Sequence, residues 1–176
     1  MIRAAGRFLS APDGPRIAVL DTGGWDTHAN QGAGQGILAS RLGSLDASLA
    51  ALKQELGRYW QNTVVVVASE FGRTVAVNGT RGTDHGTAGC AFIAGGAVRG
   101  GRVFADWPGL AERDLYEGRD LKSTTDMRAV FKGVLIEHLG ADSAQLSREV
   151  FPASASIARG FDRRLERYPG TLGRQV

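Results

Sequence analysis

Residues 63–70 read TVVVVASE, and four consecutive valines suit a strand covered on both faces, as in a parallel sheet. Upstream, IAVLD (17–21) is a second short apolar run bounded by turn residues, the pattern of a buried strand. Between the two runs, Leu38, Leu42, Leu45, Leu49, Leu52 and Leu56 recur at spacings of four and three, with Gly57 beyond them. That stripe predicts an amphipathic helix. Strand, helix and strand in succession predict a βαβ crossover, hence an α/β fold with a mostly parallel sheet. CAFIAG (90–95) reads as a third strand, and GRVFADW (101–107) and DLYEG (114–118) as short edge strands. Residues 2–10 suit the end of a helix, broken by Pro12, Gly14 and Pro15. STTD (123–126) offers N-caps for a helix carrying Met127, Val130, Phe131, Val134, Leu135 and Leu139 on one face, stopped by Gly140. DSAQLSREVF (142–151) predicts a short last helix.

Composition narrows the function classes. With 176 residues, 43% of them hydrophobic and 22% charged, the chain can bury the core of one ordinary domain. Its 25 glycines have no collagen period and gather in loops, which points to tight turns beside a site. No apolar run is long enough for a membrane helix. The opening MIRAAGRFLSAPDG lacks the apolar stretch of a signal peptide. The single cysteine, Cys90, excludes an internal disulfide and a cysteine-built zinc site. Beyond residue 156, Arg159, Arg163, Arg164, Arg167 and Arg174 face only Asp162 and Glu166, which accounts for the whole net charge of +3. The body is therefore neutral, so neither nucleic acid nor a membrane is an expected partner. The expected organisation is one α/β domain over 1–152 and a basic tail over 153–176.

The chemistry gathers on two glycine-rich loops, each leaving the carboxyl end of an expected strand, where open α/β sheets bind ligands. The first carries Asp21, Asp26 and His28; the second carries Glu70, Arg73, Asp84 and His85. Two of the three histidines thus sit beside carboxylates. The third, His138, falls on the apolar face of its helix and reads as a packing residue. Carboxylates with neutral imidazoles suit a divalent cation, zinc or manganese, which can polarise a phosphoryl or sulfuryl oxygen. An Asp-x-His in a glycine loop is equally what an Asx-turn beside an imidazole looks like. Arg73 suits an anion clamp or an exposed structural arginine. GTRGTDHGTAG has no GK[ST] and is no phosphate-binding P-loop. Ser69, Thr27, Thr74 and Thr87 lie near these loops, but no spacing marks a nucleophile, so the catalytic residue stays unassigned.

VLDTGGWDTHANQ, VVVVASEFGRT, NGTRGTDHGTAGCAFIAGGAV and STTDMRAVFKGVLIEHLG together resemble the bacterial domain-of-unknown-function family numbered 1501, over roughly residues 5–152. Many of that family's members are known by a twin-arginine export signal, which implies an exported or periplasmic location for full-length members. The family is grouped with the alkaline phosphatase and sulfatase superfamily. The resemblance therefore implies part of a three-layer, mostly parallel, alkaline-phosphatase-like fold with metal bound at the carboxyl edge of its sheet. Asp21 matches the strand-end carboxylate, Asp26 and His28 a metal-holding pair, and His85 the late histidine of the same metal. The superfamily's Asp-His pair falls on Glu70 and Phe71, or alternatively on Asp84 and His85. Phe71 stands where a second ion would find its histidine, so one ion is expected. The Asp26–His28 step is also shorter than the superfamily's usual four residues.

In this superfamily the nucleophile comes from an amino-terminal half, and none precedes Asp21 here. The expectation is a truncated phosphatase- or sulfatase-like hydrolase module, weakly active or inactive alone, that takes a small anionic ester. Exposed sheet edges would favour self-association or docking of the missing half. The alternative is a non-catalytic binding or structural module on the same scaffold.

Overall fold

The computed structural model describes residues 1–157, so most of the expected basic tail lies outside the described residues. The chain divides into two compact units, one over Met1–Ser123 and one beginning at Thr124.

The first unit opens with α1 (Ile2–Ser10), which packs on the carboxyl-terminal half of α2 (Ile37–Leu56). Gly6 permits that approach: a Cβ there would lie 2.6 Å from the Glu55 Cβ. Ala5, Leu52 and Leu56 are buried between the two helices. Arg3 closes the seam by donating to Glu55 Oε1 at 2.9 Å and to Gln54 Oε1 at 3.3 Å. The leucine stripe correctly marked α2, but only its last two leucines are buried, because α1 covers only that end; Leu42 is exposed. Gly57 follows with φ 53, a left-handed value that glycine adopts without strain, and a 3₁₀ turn covers Gly57–Asn62.

The expected crossover is not what the valines form. β1 (Val65–Val67) pairs antiparallel with β4 (Phe92–Ala94), in the register Val65↔Ala94, Val66↔Ile93, Val67↔Phe92. Its valines are half-buried rather than covered on both faces. The IAVLD run has no strand at all: no ladder partner adjoins it, and Ile17, Val19 and Leu20 are exposed. A second short ribbon joins β2 (Gly72–Arg73) to β3 (His85–Gly86), also antiparallel, with Arg73 opposite His85. Among the described residues no parallel strand pair is present. Neither GRVFADW nor DLYEG forms a ladder; residues 114–120 make only a turn closed by a Tyr116↔Asp120 bridge.

In the second unit Asp126 caps α3 (Met127–Leu139) by accepting from the Arg128 amide at 2.8 Å. Gly140 ends α3 with φ 69. The covered face of α3 is not the apolar one expected: its buried residues are Ala129, Lys132 and Gly133. Lys132 is 2% exposed, and its ammonium donates to the Ser154 carbonyl at 2.7 Å and to Ser147 Oγ at 2.9 Å. Phe131 stacks on Phe151. The expected last helix is split into one turn, α4 (Ser143–Gln145), and a π-helical turn over Leu146–Val150.

Candidate metal centre

The β2–β3 hairpin is the platform of the site. Thr74 binds Asp84 in both directions, its amide donating to the Asp84 carbonyl at 2.9 Å and its hydroxyl accepting from the Asp84 amide at 3.1 Å. Asn78 builds the tip: its side-chain oxygen accepts from the amides of Thr80 and Gly82. The loop that carries Asp26 and His28 docks on this hairpin through backbone bonds. Asn30 donates to the Thr80 carbonyl at 3.0 Å, Gln31 to the Arg81 carbonyl at 2.9 Å, and Thr83 to the Thr27 carbonyl at 3.3 Å. Asn78 Nδ2 and Thr80 Oγ1 both donate to the His28 carbonyl, at 3.0 and 2.6 Å. Gly82 must be glycine, because a Cβ would fall onto the His28 carbonyl. Beneath the seam, buried Thr27 and Thr83 both donate to Gln31 Oε1 at 2.7 Å.

This docking brings together residues 56 to 59 positions apart in the chain. Asp26 Oδ1 lies 2.8 Å from His85 Nε2 and 2.9 Å from His28 Nε2, and the two ring nitrogens are 3.2 Å apart. Cis ligands of an octahedral ion with bonds of ~2.05 Å are about 2.9 Å apart, and ligands of a tetrahedral one about 3.3 Å. The three atoms therefore already have the spacing of one face of a coordination shell. Two imidazoles and a carboxylate are also a donor set suited to zinc, manganese or iron. All three side chains are roughly half exposed or more, so solutes reach them.

The remaining partners fix protonation. Asp26 Oδ1 also accepts from Arg73 Nη1 at 2.7 Å. That bond, followed by the one from His85, lowers the Asp26 pKa from 3.8 to about 2, outweighing the small cost of desolvation. Asp84 is likewise held below the usual carboxylate range, first by Asn78 Nδ2 at 2.9 Å and then by His28 Nδ1 at 3.1 Å. An ionised carboxylate can only accept, so its partner places the proton of His28 on Nδ1. His28 Nε2 then presents its lone pair toward Asp26 and His85, the carboxylate–histidine–metal relay of many metal sites.

Of the residues picked out from sequence, Asp26, His28 and His85 form the cluster and Asp84 stands behind it. Asp21 and Glu70 do not join; both are exposed, and among the described residues Glu70 accepts only from Ser69, at 3.3 Å. Arg73 donates to Asp26 and, through Nε and Nη2, to Thr83 Oγ1 and the Thr83 carbonyl. Phe71 sets its ring against His85 with centroids 4.2 Å apart. Asn78 escaped the sequence analysis, although the Asn-Gly step at 78–79 is a turn signal.

A family model matches residues 5–151, most of the chain, and it describes a protein of unknown function, DUF1501. The chain belongs to the DUF1501 family. Neither the curated proteins nor the solved structures give a match. The DUF1501 match spans both loops of the cluster, and function has to be argued from the site itself.

Proposed function

We propose that Asp26, His28 and His85 hold one divalent cation, zinc or manganese, and that the chain is a metal-dependent hydrolase module for small phosphate or sulfate esters. The observation that carries this reading is the triangle of donor atoms with sides of 2.8, 2.9 and 3.2 Å. A divalent ion supplies Lewis acidity toward a phosphoryl or sulfuryl oxygen. The residues supply the rest. Asp84 keeps His28 in the ligating tautomer, and Arg73 keeps Asp26 ionised and aimed. The wide exposure of the cluster leaves room for an ester to approach. The alkaline-phosphatase-like scaffold, the superfamily affiliation and twin-arginine export, all implied by the sequence resemblance, belong to the same proposal.

A second reading, a non-catalytic module stabilised by its ion, is favoured by Phe71. Its ring lies against His85, and by the sequence resemblance Phe71 stands where a second ion would find its histidine. Among the described residues no serine, threonine or cysteine side chain hydrogen-bonds to the side chain of Asp26, His28 or His85.

Metal analysis after incubation with zinc or manganese tests the site. One equivalent is expected in the protein as it stands, and none in His28→Ala or His85→Ala. Hydrolysis of p-nitrophenyl phosphate and sulfate by the loaded protein separates the two readings. Activity that disappears in His28→Ala supports the hydrolase; complete inactivity with bound metal supports the binding module. A protein that takes up no metal overturns both.

A further inference from the structure

Asn78 and Gly79, at the tip of the β2–β3 hairpin, form the chain's one Asn-Gly step. In such a step the glycine nitrogen can close a five-membered ring on the asparagine Cγ, and no glycine Cβ hinders it. Three features of this tip favour the closure. Gly79 is exposed, and its amide has no hydrogen-bond partner among the described residues. Asn78 Oδ1 accepts from the Thr80 amide at 3.0 Å and the Gly82 amide at 2.9 Å, donors placed to stabilise negative charge on that oxygen. Asn78 Nδ2 donates to the His28 carbonyl at 3.0 Å and to Asp84 Oδ1 at 2.9 Å, which enriches the nitrogen that must take up a proton on leaving.

We propose that Asn78 is a site of spontaneous modification, at which the chain converts its own carboxamide to an acid and so dismantles the Asp26–His28–His85 cluster. The Gly79 nitrogen gives its proton to solvent and bonds to Asn78 Cγ. The Cγ–Nδ2 bond breaks, and the nitrogen leaves as ammonia with its added proton drawn from water. Water then opens the cyclic imide at either carbonyl, leaving aspartate or its β-linked isomer. The sum is carboxamide plus water giving carboxylic acid plus ammonia. The product offers no donor to Asp84 or to the His28 carbonyl, and its carboxylate faces the carboxylate of Asp84. The β-linked isomer also lengthens the backbone of the tip on which Asn30 and Gln31 dock. The consequence for metal rests on the reading of the cluster as a cation site; the modification does not.

The test is peptide mass mapping of the folded protein during incubation at mildly alkaline pH, with Asn30 and Asn62 of the same chain as references. Asn78 is expected to show the mass shift of amide-to-acid exchange well ahead of both. Gly79→Ala is expected to slow the conversion about tenfold. The tip has room for that change, since a Cβ at Gly79 meets nothing within 4 Å and its φ is not positive. Asn78→Asp, which carries the product from the start, is expected to melt lower than the parent and to hold less zinc. Conversion in urea but not in the folded protein would overturn the proposal, because the hairpin would then be a shield. So would equal conversion at Asn30 or Asn62, or an unchanged rate in Gly79→Ala. An unchanged melting temperature in Asn78→Asp would overturn the dismantling. A parent protein that takes up no zinc instead overturns the cation site alone, and the mapping and melting results still decide the modification.

Discussion

Replacing Asp84 by Ala removes the acceptor behind His28 without touching any atom of the donor triangle. In the structure that carboxylate takes one bond from His28 Nδ1 at 3.1 Å and one from Asn78 Nδ2 at 2.9 Å. Without it, His28 is free to turn and to place its proton on either nitrogen, so only part of the population presents Nε2 to the ion. Loss of such an outer partner typically costs about 10–100-fold in metal affinity. The lower part of that range is expected here, because the site is open and water can replace the lost acceptor. The hairpin itself survives, since Asp84 is tied to Thr74 through its backbone. Competition of the protein against a fluorescent zinc chelator measures the change, with thermal unfolding of the zinc-free variant as the control for folding. Roughly tenfold weaker zinc binding with an unchanged melting temperature is expected. Zinc affinity within twofold of the parent would refute the relay.

Other outcomes follow from the same geometry. Asp26 is held to about pKa 2, so its ion pair with Arg73 is fully present above its ordinary value of 3.8 and lost as pH falls through about 2. The carboxyl carbon shift of Asp26 should titrate near 2, and closer to 3.8 in Arg73→Ala. Asp126→Ala removes the α3 cap and should cost about 1 kcal/mol in urea unfolding. Lys132→Met takes a buried charge away but also removes the bonds to the Ser154 carbonyl, which keeps only its bond from the Ile157 amide, and to Ser147 Oγ. Loss of these bonds should outweigh the relieved desolvation, for a net loss of about 1 kcal/mol, read in the same unfolding experiment.

Much of the site was legible because its signals are chemical. Histidines are scarce in this chain, and two of the three lie beside aspartates in glycine loops, which marks Asp26, His28 and His85 together with Asp21, Glu70 and Asp84. The division of labour was not legible. Asp84 and His85 are adjacent in sequence, yet one ring edge faces the cluster while the neighbouring carboxylate reaches the far side of His28. Asp21 and Glu70 looked equivalent to Asp26, but only Asp26 is drawn in by the Thr27–Gln31–Thr83 seam. The helices followed from their stripes and caps. The strands did not, since a run of valines records that it is to be covered and says nothing of the direction of its partner. Val65–Val67 accordingly pairs antiparallel with Phe92–Ala94, and IAVLD, equally apolar, has no ladder. Lys132 on the covered face of α3 likewise has no sequence signal, because its acceptors come from residues 147 and 154.

An anomalous-difference map at the zinc edge, from crystals of the protein soaked in zinc, addresses the donor triangle without recourse to activity. One strong peak bonded at roughly 2.0–2.1 Å to Asp26 Oδ1, His28 Nε2 and His85 Nε2 is the expected result. An ordered site with no peak, or a zinc peak held elsewhere while His28 and His85 stay unliganded, would contradict it.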